Sequence, residues 1–501
     1  MKRILYTATA AMLAFSACEK DDPAPAPVVE NVNDISEVGS LTLAGGVGAA
    51  EISTYDPSTK RLFTVNNGTT GNQIDVIDLS NPASPLKIAT IPVSAYGGFV
   101  NSLDVNNGLL AAAIEANNKQ DNGKVVVFKT SDYSEVRVVS VGALPDMITF
   151  SPDGKLILTA NEGEPNDAYT NDPAGTVSII EVTNNYAVRT LDFSPFVSQA
   201  TTLKAQGLRI FGVANDLVKD LEPEYITVSN DSRTAWVTLQ ENNAIAKIDL
   251  TTKTITNIFP LGFKNYNLAE NAIDPSDLDT AVARLKQVPV KGMYQPDGIA
   301  FVQSGTNTYL LTANEGDARE YAGMSEVKRI KSATIDATAF PNLTELKKDN
   351  NLGRLNITTK LGDTDGDGDI DELYSFGARS FSVWNAQTGA QVWDSKNELD
   401  IKANAIGIYD DGRSDDKSVE PEAVVTGKIG NSTYAFVGME RADGVAIYNI
   451  DNPASPMFVK MIKTGDAPEG VLFVPANKSP NGKSLLVVSS ENDGVVKIYQ
   501  P

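Results

Sequence analysis

The chemistry available to this chain is carried by oxygen. Its 501 residues include 64 Asp and Glu against 42 Lys and Arg, no His, and one Cys, Cys18. Imidazole-built zinc sites, Ser-His-Asp triads and His-ligated haem are therefore excluded. Carboxylates, amides and carbonyls remain, and these suit hard divalent cations such as calcium or magnesium. The densest acidic segment is Asp363-Thr364-Asp365-Gly366-Asp367-Gly368-Asp369-Ile370-Asp371. Asp363, Asp365 and Asp367 at alternate positions, with Gly368 for the sharp turn, match the D-x-D-x-D-G core of a calcium-binding loop. Asp363, Asp365, Asp367, Asp369 and Asp371 are the candidate calcium ligands, Asp369 through its carbonyl. Five Asp in nine residues repel one another unless a cation is present. Tyr374 stands at the twelfth position, where a bidentate acid is expected, so Glu372 or an acid from elsewhere must complete the shell.

A second set of acids is spread along the chain at corresponding places. Seven times an acid or amide opens an apolar strand: Glu51, Asn101, Asp146, Glu224, Asp297, Glu422 and Glu469, five of them directly after Pro. Each is followed by a second strand that ends in Asn67, Glu115, Glu162, Glu241, Glu315, Glu440 or Glu491. Self-similarity of this kind signals an array of supersecondary units. A strand starts on the face of the sheet array where the next antiparallel strand ends, so both sets are expected around the axis on one face. Asp146, Glu224, Asp297, Glu422, Glu469, Glu162, Glu315, Glu440 and Glu491 are candidate binding residues, with Arg319 and Arg441 placed to balance their charge.

The elements that must position them are short strands. A four-stranded unit cannot bury both faces alone, so neighbours pack around a common axis, and the expected fold is an all-β, seven-bladed β-propeller with helical and loop insertions. Third strands read QIDVIDL, KVVVFK, TVSIIEV, AIAKIDL, FSVWN, GVAIYNI and VVKIYQ. The chain runs to Pro501 after the third strand of the last unit, so Ser36 to Ala44 is expected to supply the outer strand. Insertions fall at about 194–221, 260–295, 315–378 and 396–419, and the calcium-type loop lies in the third. Apolar spacing predicts a helix within the first and another around Asp277 to Lys286. The expected organisation is a signal segment over 1–17, a Pro- and Ala-rich tether over 18–35, and one propeller domain over 36–501.

The formal charge of −22 would become −24 without the first 17 residues, which carry Lys2 and Arg3 and no acid. Such a surface repels nucleic acid and anionic lipid and favours cations. Lys2 and Arg3, the apolar run from Ile4 to Phe15 and the small residues before Cys18 form a secretory signal. Phe15-Ser16-Ala17-Cys18 resembles a bacterial lipobox, which makes Cys18 the lipidation site, although Phe15 stands where Leu is usual. Glu19-Lys20-Asp21-Asp22 resembles the acidic export signal of Bacteroidota lipoproteins, which implies the outer face of the outer membrane. No second segment is long and apolar enough to span a bilayer.

Six long motifs carry a family resemblance: TLKAQGLRIFG (202–212), DLEPEYITVS (220–229), LTANEGDAREY (311–321), GDTDGDGDIDELYSFGARSFSVWN (362–385), RSDDKSVEPEAVV (413–425) and FVGMERADGVAIYNI (436–450). They resemble the choice-of-anchor I domain, a family that includes sequences called mesenchyme-specific cell-surface glycoproteins. The resemblance covers roughly Ser36 to Pro501. It implies an exported propeller held at the cell surface, similar in shape to YVTN-type and haem d1-type propellers, and it supplies no catalytic residues.

Three functions remain open at this level. One is a calcium-stabilised, surface-anchored binding or scaffold module, expected to be monomeric, whose partner is a surface protein or a small polar ligand. The second is a calcium-dependent phosphoester hydrolase of the propeller-phytase kind, which needs basic residues near the acids, with Arg319, Arg379, Arg413 and Arg441 available. The third is a lactonase-like enzyme in which metal-bound water attacks an ester.

Overall fold

Runs of Val, Ile, Leu and Ala bounded by Gly, Asn and Pro turns build seven four-stranded antiparallel sheets among the described residues. The computed structural model describes residues 30–69, 71–279 and 281–501. The expected signal segment, Cys18 and most of the tether lie outside the described residues.

The sheets follow chain order. Sheet one holds Ser53–Asp56, Arg61–Asn66, Gln73–Asp78 and Leu86–Pro92, and sheet two Val100–Asn106, Leu109–Ile114, Asn122–Lys129 and Glu135–Ala143. Sheet three holds Pro145–Phe150, Leu156–Asn161, Thr176–Glu181 and Ala187–Leu191. Sheet four holds Pro223–Val228, Thr234–Leu239, Ala244–Asp249 and Thr254–Pro260. Sheet five holds Ile299–Ser304, Asn307–Asn314, Ser380–Asn385 and Gln391–Asp394, and sheet six Pro421–Ile429, Ser432–Met439, Gly444–Asn449 and Met457–Lys463. Sheet seven takes Pro468–Val474, Leu485–Ser490 and Val495–Gln500 from the end of the chain. Its outer strand is Ser36–Thr42, antiparallel to Val495–Gln500 with Ser40 opposite Lys497.

Strand alternation explains how the sheets pack. In Leu109–Ile114, Leu110, Ala112 and Ile114 join a core with sheet one, while Ala111 and Ala113 join a core with sheet three. Successive side chains of a strand point to opposite faces, so a middle strand apolar at every position serves two interfaces. Equivalent cores join three to four, four to five, five to six and six to seven, and a last one joins Leu485 and Val487 of sheet seven to Leu62 and Ile77 of sheet one. First strands also pack in cyclic order, with Pro468–Val474 against Ser53–Asp56. This radial packing leaves few exposed edges. Outer strands meet solvent on one side, as the alternating exposure of Leu86–Pro92 shows.

Two insertions, 260–295 and 315–378, share a satellite core that includes Tyr266, Val290, Ile330, Leu355, Ile357 and Leu373. Val290–Met293 pairs parallel to Leu373–Ser375, which ties the two together. The first insertion carries short helical turns at Ser194–Gln199, Ala200–Ala205 and Leu217–Asp220. Among the described residues, the helix expected around Asp277 to Lys286 does not form, and turns stand in its place. Asp274 accepts from the backbone of Ser276 and Arg284, Asp279 pairs with Lys286 at 2.6 Å, and Ala283 is left-handed (φ 53°). Local side-chain bonds to the backbone compete with helix there.

Candidate functional site

The acids that open the first strands are placed by a recurrent backbone irregularity. Pairing slips between Val100 and Ser102, Pro145 and Met147, Pro223 and Ile226, Pro421 and Val424, and Pro468 and Gly470. Asn101, Asp146, Glu224, Glu422 and Glu469 thus sit on bulges, which take a residue out of the ladder and re-aim its side chain. Proline fits just before them because a strand's first residue can spare its N–H. Leu144, Gln295, Glu420 and Ala467, each directly before such a Pro, have φ between 43° and 56°. That left-handed geometry costs non-Gly residues about 1–3 kcal/mol each, a strain that clusters at working sites.

These side chains meet on the axis. Asn101, Asp146, Glu224, Asp297, Glu422 and Glu469 line a cavity of about 160 Å³ together with Tyr225. It continues into a wider mouth of about 540 Å³ that shares Asn101, Asp146, Glu422 and Glu469 and adds Glu51, Asn67, Glu115, Glu162, Glu164 and Glu491. Among the described residues, Lys119 is the single basic residue lining either space. Glu51 accepts from Asn67 at 2.7 Å, and Asn67 also donates to the Val100 carbonyl at 2.8 Å, linking sheets one and two. An oxygen of Glu224 and one of Glu422 are buried with no hydrogen-bond partner among the described residues.

Burial of many like charges sets the electrostatics. Burial first, then Glu491, raises Glu51 from 4.5 to about 8, and burial with Glu164 raises Asp146 from 3.8 to about 7. Glu224, Asp297, Glu422 and Glu469 are pushed well above the carboxylate range by burial and by one another. Removing carboxylates from water penalises the ionised form, and neighbouring carboxylates add to that penalty. Burial and mutual repulsion thus favour the protonated form of these carboxyls.

The acids that close the second strands do not form one even ring. Glu115, Glu162 and Glu491 line the mouth. Glu241 sits with Glu162 and Glu222, and Glu315 and Glu440 sit with Glu420, in two compact carboxylate triads. Glu315 takes Lys417 at 2.6 Å and Gln240 at 2.8 Å. Arg441 pairs with Glu440 at 2.8 Å, and both line a separate peripheral cavity with Arg413 and Asp410.

Arg319 requires a correction, because it is not free for a ligand. It is 2% exposed, and its guanidinium is committed to the Asp220 carboxylate, the Asp220 carbonyl and Glu222, over the Phe211 ring. Arg379 is spent on the carbonyls of Asp274, Ser414 and Asp416, and Arg413 on Glu420 and Asp416. The cations expected to serve an anionic substrate thus have structural partners.

In the acidic loop, oxygens of Asp363, Asp365 and Asp371 lie within 4.8 Å of one another. The Asp367 carboxylate falls outside that group, a second departure from the expected ligand set, whereas Asp369 is expected to act through its carbonyl and not its carboxylate. The Asp367 carboxylate accepts from the Asp369 N–H at 3.1 Å, and one Asp369 oxygen is buried without a partner. Glu372 is held by Lys291 at 2.8 Å and by the Tyr374 hydroxyl, which takes it away from the loop. The donor set is all oxygen, as a hard cation requires.

Sequence reasoning passed over Glu164, Glu222, Glu420, Lys417 and Tyr225. A signal was present, since Glu-Pro-Glu occurs at 222–224 and again at 420–422.

Comparison with known proteins adds three findings. The model of the choice-of-anchor I domain matches residues 51–453. Gigasin-3a of Magallana gigas is 28% identical over 182 residues, which is 30% of this chain and 64% of that protein, so the chain spans under two thirds of the relative's length. Among solved structures, the hydrazine synthase of Kuenenia stuttgartiensis superposes with TM-score 0.50 at 13% identity, covering 91% of this chain and 96% of that one. That likeness concerns the fold alone. The Cps50 (Swd1) β-propeller domain of Myceliophteria thermophila follows with TM-score 0.45 at 10% identity, covering 93% and 99%, too distant to argue from.

Proposed function

The chain belongs to the choice-of-anchor I domain family, and from that premise we propose that it is a seven-bladed propeller held at the cell surface as a cation-dependent binding module. The seven sheets are its blades, and residues 36–501 form one domain that carries its insertions on the rim. Cys18 is its lipid anchor and 18–35 its tether, which places the domain on the outer face of the outer membrane as a monomer. Calcium is its cofactor, held in the insertion by Asp363, Asp365 and Asp371, where it supplies charge neutralisation and cross-links the loop.

One observation carries the binding assignment: the axial funnel gathers acids from most of the sheets, with Lys119 as its single basic lining residue. Such a surface attracts cations and cationic groups of a small polar ligand or a protein partner and repels phosphate. Phosphoester hydrolysis would require cationic groups aimed at the transferred anion, and Arg319, Arg379 and Arg413 are engaged elsewhere. The test combines calcium-dependent melting of the mature protein with a screen of phosphoesters and lactones. Calcium stabilisation that is reduced, to what the Asp363 loop alone supplies, in a Glu422→Gln/Glu469→Gln variant, with no turnover, supports the reading. Calcium-dependent hydrolysis of a phosphoester by the unaltered protein would overturn it.

A further inference from the structure

The two carboxylate triads are the same construction built twice. Glu162 follows the second strand of sheet three, Glu222 stands before the Pro that opens sheet four, and Glu241 follows the second strand of sheet four. Glu315 likewise follows the second strand of sheet five, Glu420 stands before the Pro that opens sheet six, and Glu440 follows the second strand of sheet six. What differs is the charge that answers them. In the second triad Lys417 contacts Glu315 at 2.6 Å and Glu420 at 3.3 Å, Arg413 holds Glu420, and Arg441 holds Glu440. Lys417 is a built-in cation seated among the carboxylates.

The first triad has no lysine seated between two of its carboxylates, and its one cation, Arg319, ion-pairs with Glu222 but with neither Glu162 nor Glu241 among the described residues. Lys219, which stands three residues before Glu222 as Lys417 stands before Glu420, makes no ion pair with the triad among the described residues. It belongs to the helical turn Leu217–Asp220, whose Asp220 binds the backbone of Gly212 at 3.0 Å and the Arg319 guanidinium. Arg319 covers one oxygen of Glu222 at 2.6 Å and is shared with Asp220. Arg209 is taken by Glu326 and by the Glu241 carbonyl. The other Glu222 oxygen is buried, in a residue 1% exposed, and has no hydrogen-bond partner among the described residues. A buried carboxylate oxygen without a donor is unfavourable unless a cation or a proton meets it.

We propose that Glu162, Glu222 and Glu241 bind a hard divalent cation, calcium by ligand type, that bridges sheets three and four where Lys417 bridges sheets five and six. One carboxylate oxygen from each residue lies within 4.8 Å of the others, a span that a single ion fills at the 2.3–2.6 Å bond lengths of calcium. With oxygen ligands alone, the site does not select zinc or copper. It rests on the reading of the acidic face as cation-binding, to which it adds a defined ligand set on the rim.

The test uses terbium, a luminescent stand-in for calcium, with calcium as competitor, in the mature chain whose loop has been silenced by Asp363→Asn/Asp365→Asn/Asp371→Asn. Tyr321, whose hydroxyl reaches Glu164 at 3.0 Å, is the expected sensitiser. In this background, terbium emission that calcium displaces is expected. Glu422→Gln/Glu469→Gln should remove only the emission from the axial funnel, whose lining Tyr225 also sensitises, and leave a calcium-displaceable emission that Glu162→Gln/Glu241→Gln, which keeps the Glu222–Arg319 pair, weakens at least tenfold. If the rim double variant does not fold, Glu162→Gln alone is measured, with an expected loss of at least threefold. Emission unchanged by the rim variants overturns the site. Emission abolished by Glu422→Gln/Glu469→Gln alone moves the ion to the axis and overturns the rim site, while the funnel reading stands. No sensitised emission in any variant removes both.

Discussion

Replacing Glu51 with Gln should stabilise the calcium-free protein at alkaline pH and leave it unchanged at pH 4. Glu51 is held above its ordinary 4.5, at about 8, by burial and by Glu491. A carboxyl whose folded value is raised binds its proton more tightly in the native state. Its contribution to stability is therefore fully present below about pH 4.5 and is lost as pH rises through about 8. One pH unit of displacement corresponds to about 1.4 kcal/mol, so the full displacement sets a ceiling of about 5 kcal/mol. Solvent in the open mouth of the funnel screens this half-buried side chain, and the expected gain for Glu51→Gln at pH 8.5 is about 1–2 kcal/mol. Glutamine can still accept from Asn67, so the link to sheet two survives. With about 2 cal/mol/K of unfolding entropy per residue, a domain of this size shifts by about 1 °C per kcal/mol. Urea titration in chelator at pH 4.0, 6.0 and 8.5 is thus more sensitive than melting. The unaltered protein should lose stability steadily across that series and the variant lose less. Stability that rises from pH 4.0 to 8.5, or a variant weaker than its parent at 8.5, would refute the electrostatic account of the funnel.

Four further outcomes are expected. Calcium at 100-fold excess over its dissociation constant should add about 2.7 kcal/mol to the unaltered protein, and Asp363→Asn/Asp365→Asn should lower that gain; equal melting with calcium and with chelator would exclude the loop as a site. Arg319→Met should cost about 3–5 kcal/mol at pH 7.5 by leaving Asp220 and Glu222 buried and unpaired, with part of the loss recovered at pH 5, as urea titration would show. Cys18→Ser should release a folded protein from the membrane fraction. Changing Glu19, Asp21 and Asp22 should leave it lipidated but protected from protease added to intact cells.

Much of the scaffold was legible because period-two apolar runs and Pro-acid dipeptides recur at corresponding places. The pairing of Ser36–Thr42 with the last strand followed from counting strands. The bulges that turn Asp146, Glu224, Glu422 and Glu469 toward the axis were not legible, since nothing in the dipeptide records a slip of register. The helix expected at Asp277 to Lys286 was misjudged because apolar spacing does not show that Asp274 and Asp279 bind backbone and Lys286. The fate of Arg319 was equally hidden: its partners Asp220 and Glu222 lie 99 and 97 residues away. Glu-Pro-Glu at 222 and 420 marks both triads, yet only packing distinguishes the one that holds Lys417 from the one that does not.

The central claim is that the carboxylate funnel exchanges protons for a cation. Calcium titrated calorimetrically into the metal-free mature protein at pH 7.5, in two buffers of different ionisation enthalpy, tests it most directly. Binding must then expel protons, because burial and neighbouring carboxylates push Glu51 up to about 8 and Asp146 up to about 7. The account predicts about one proton or more released per calcium in the unaltered protein, and markedly fewer in Glu51→Gln/Asp146→Asn. Calcium binding with no buffer dependence, or no binding at all beyond the Asp363 loop, would contradict it.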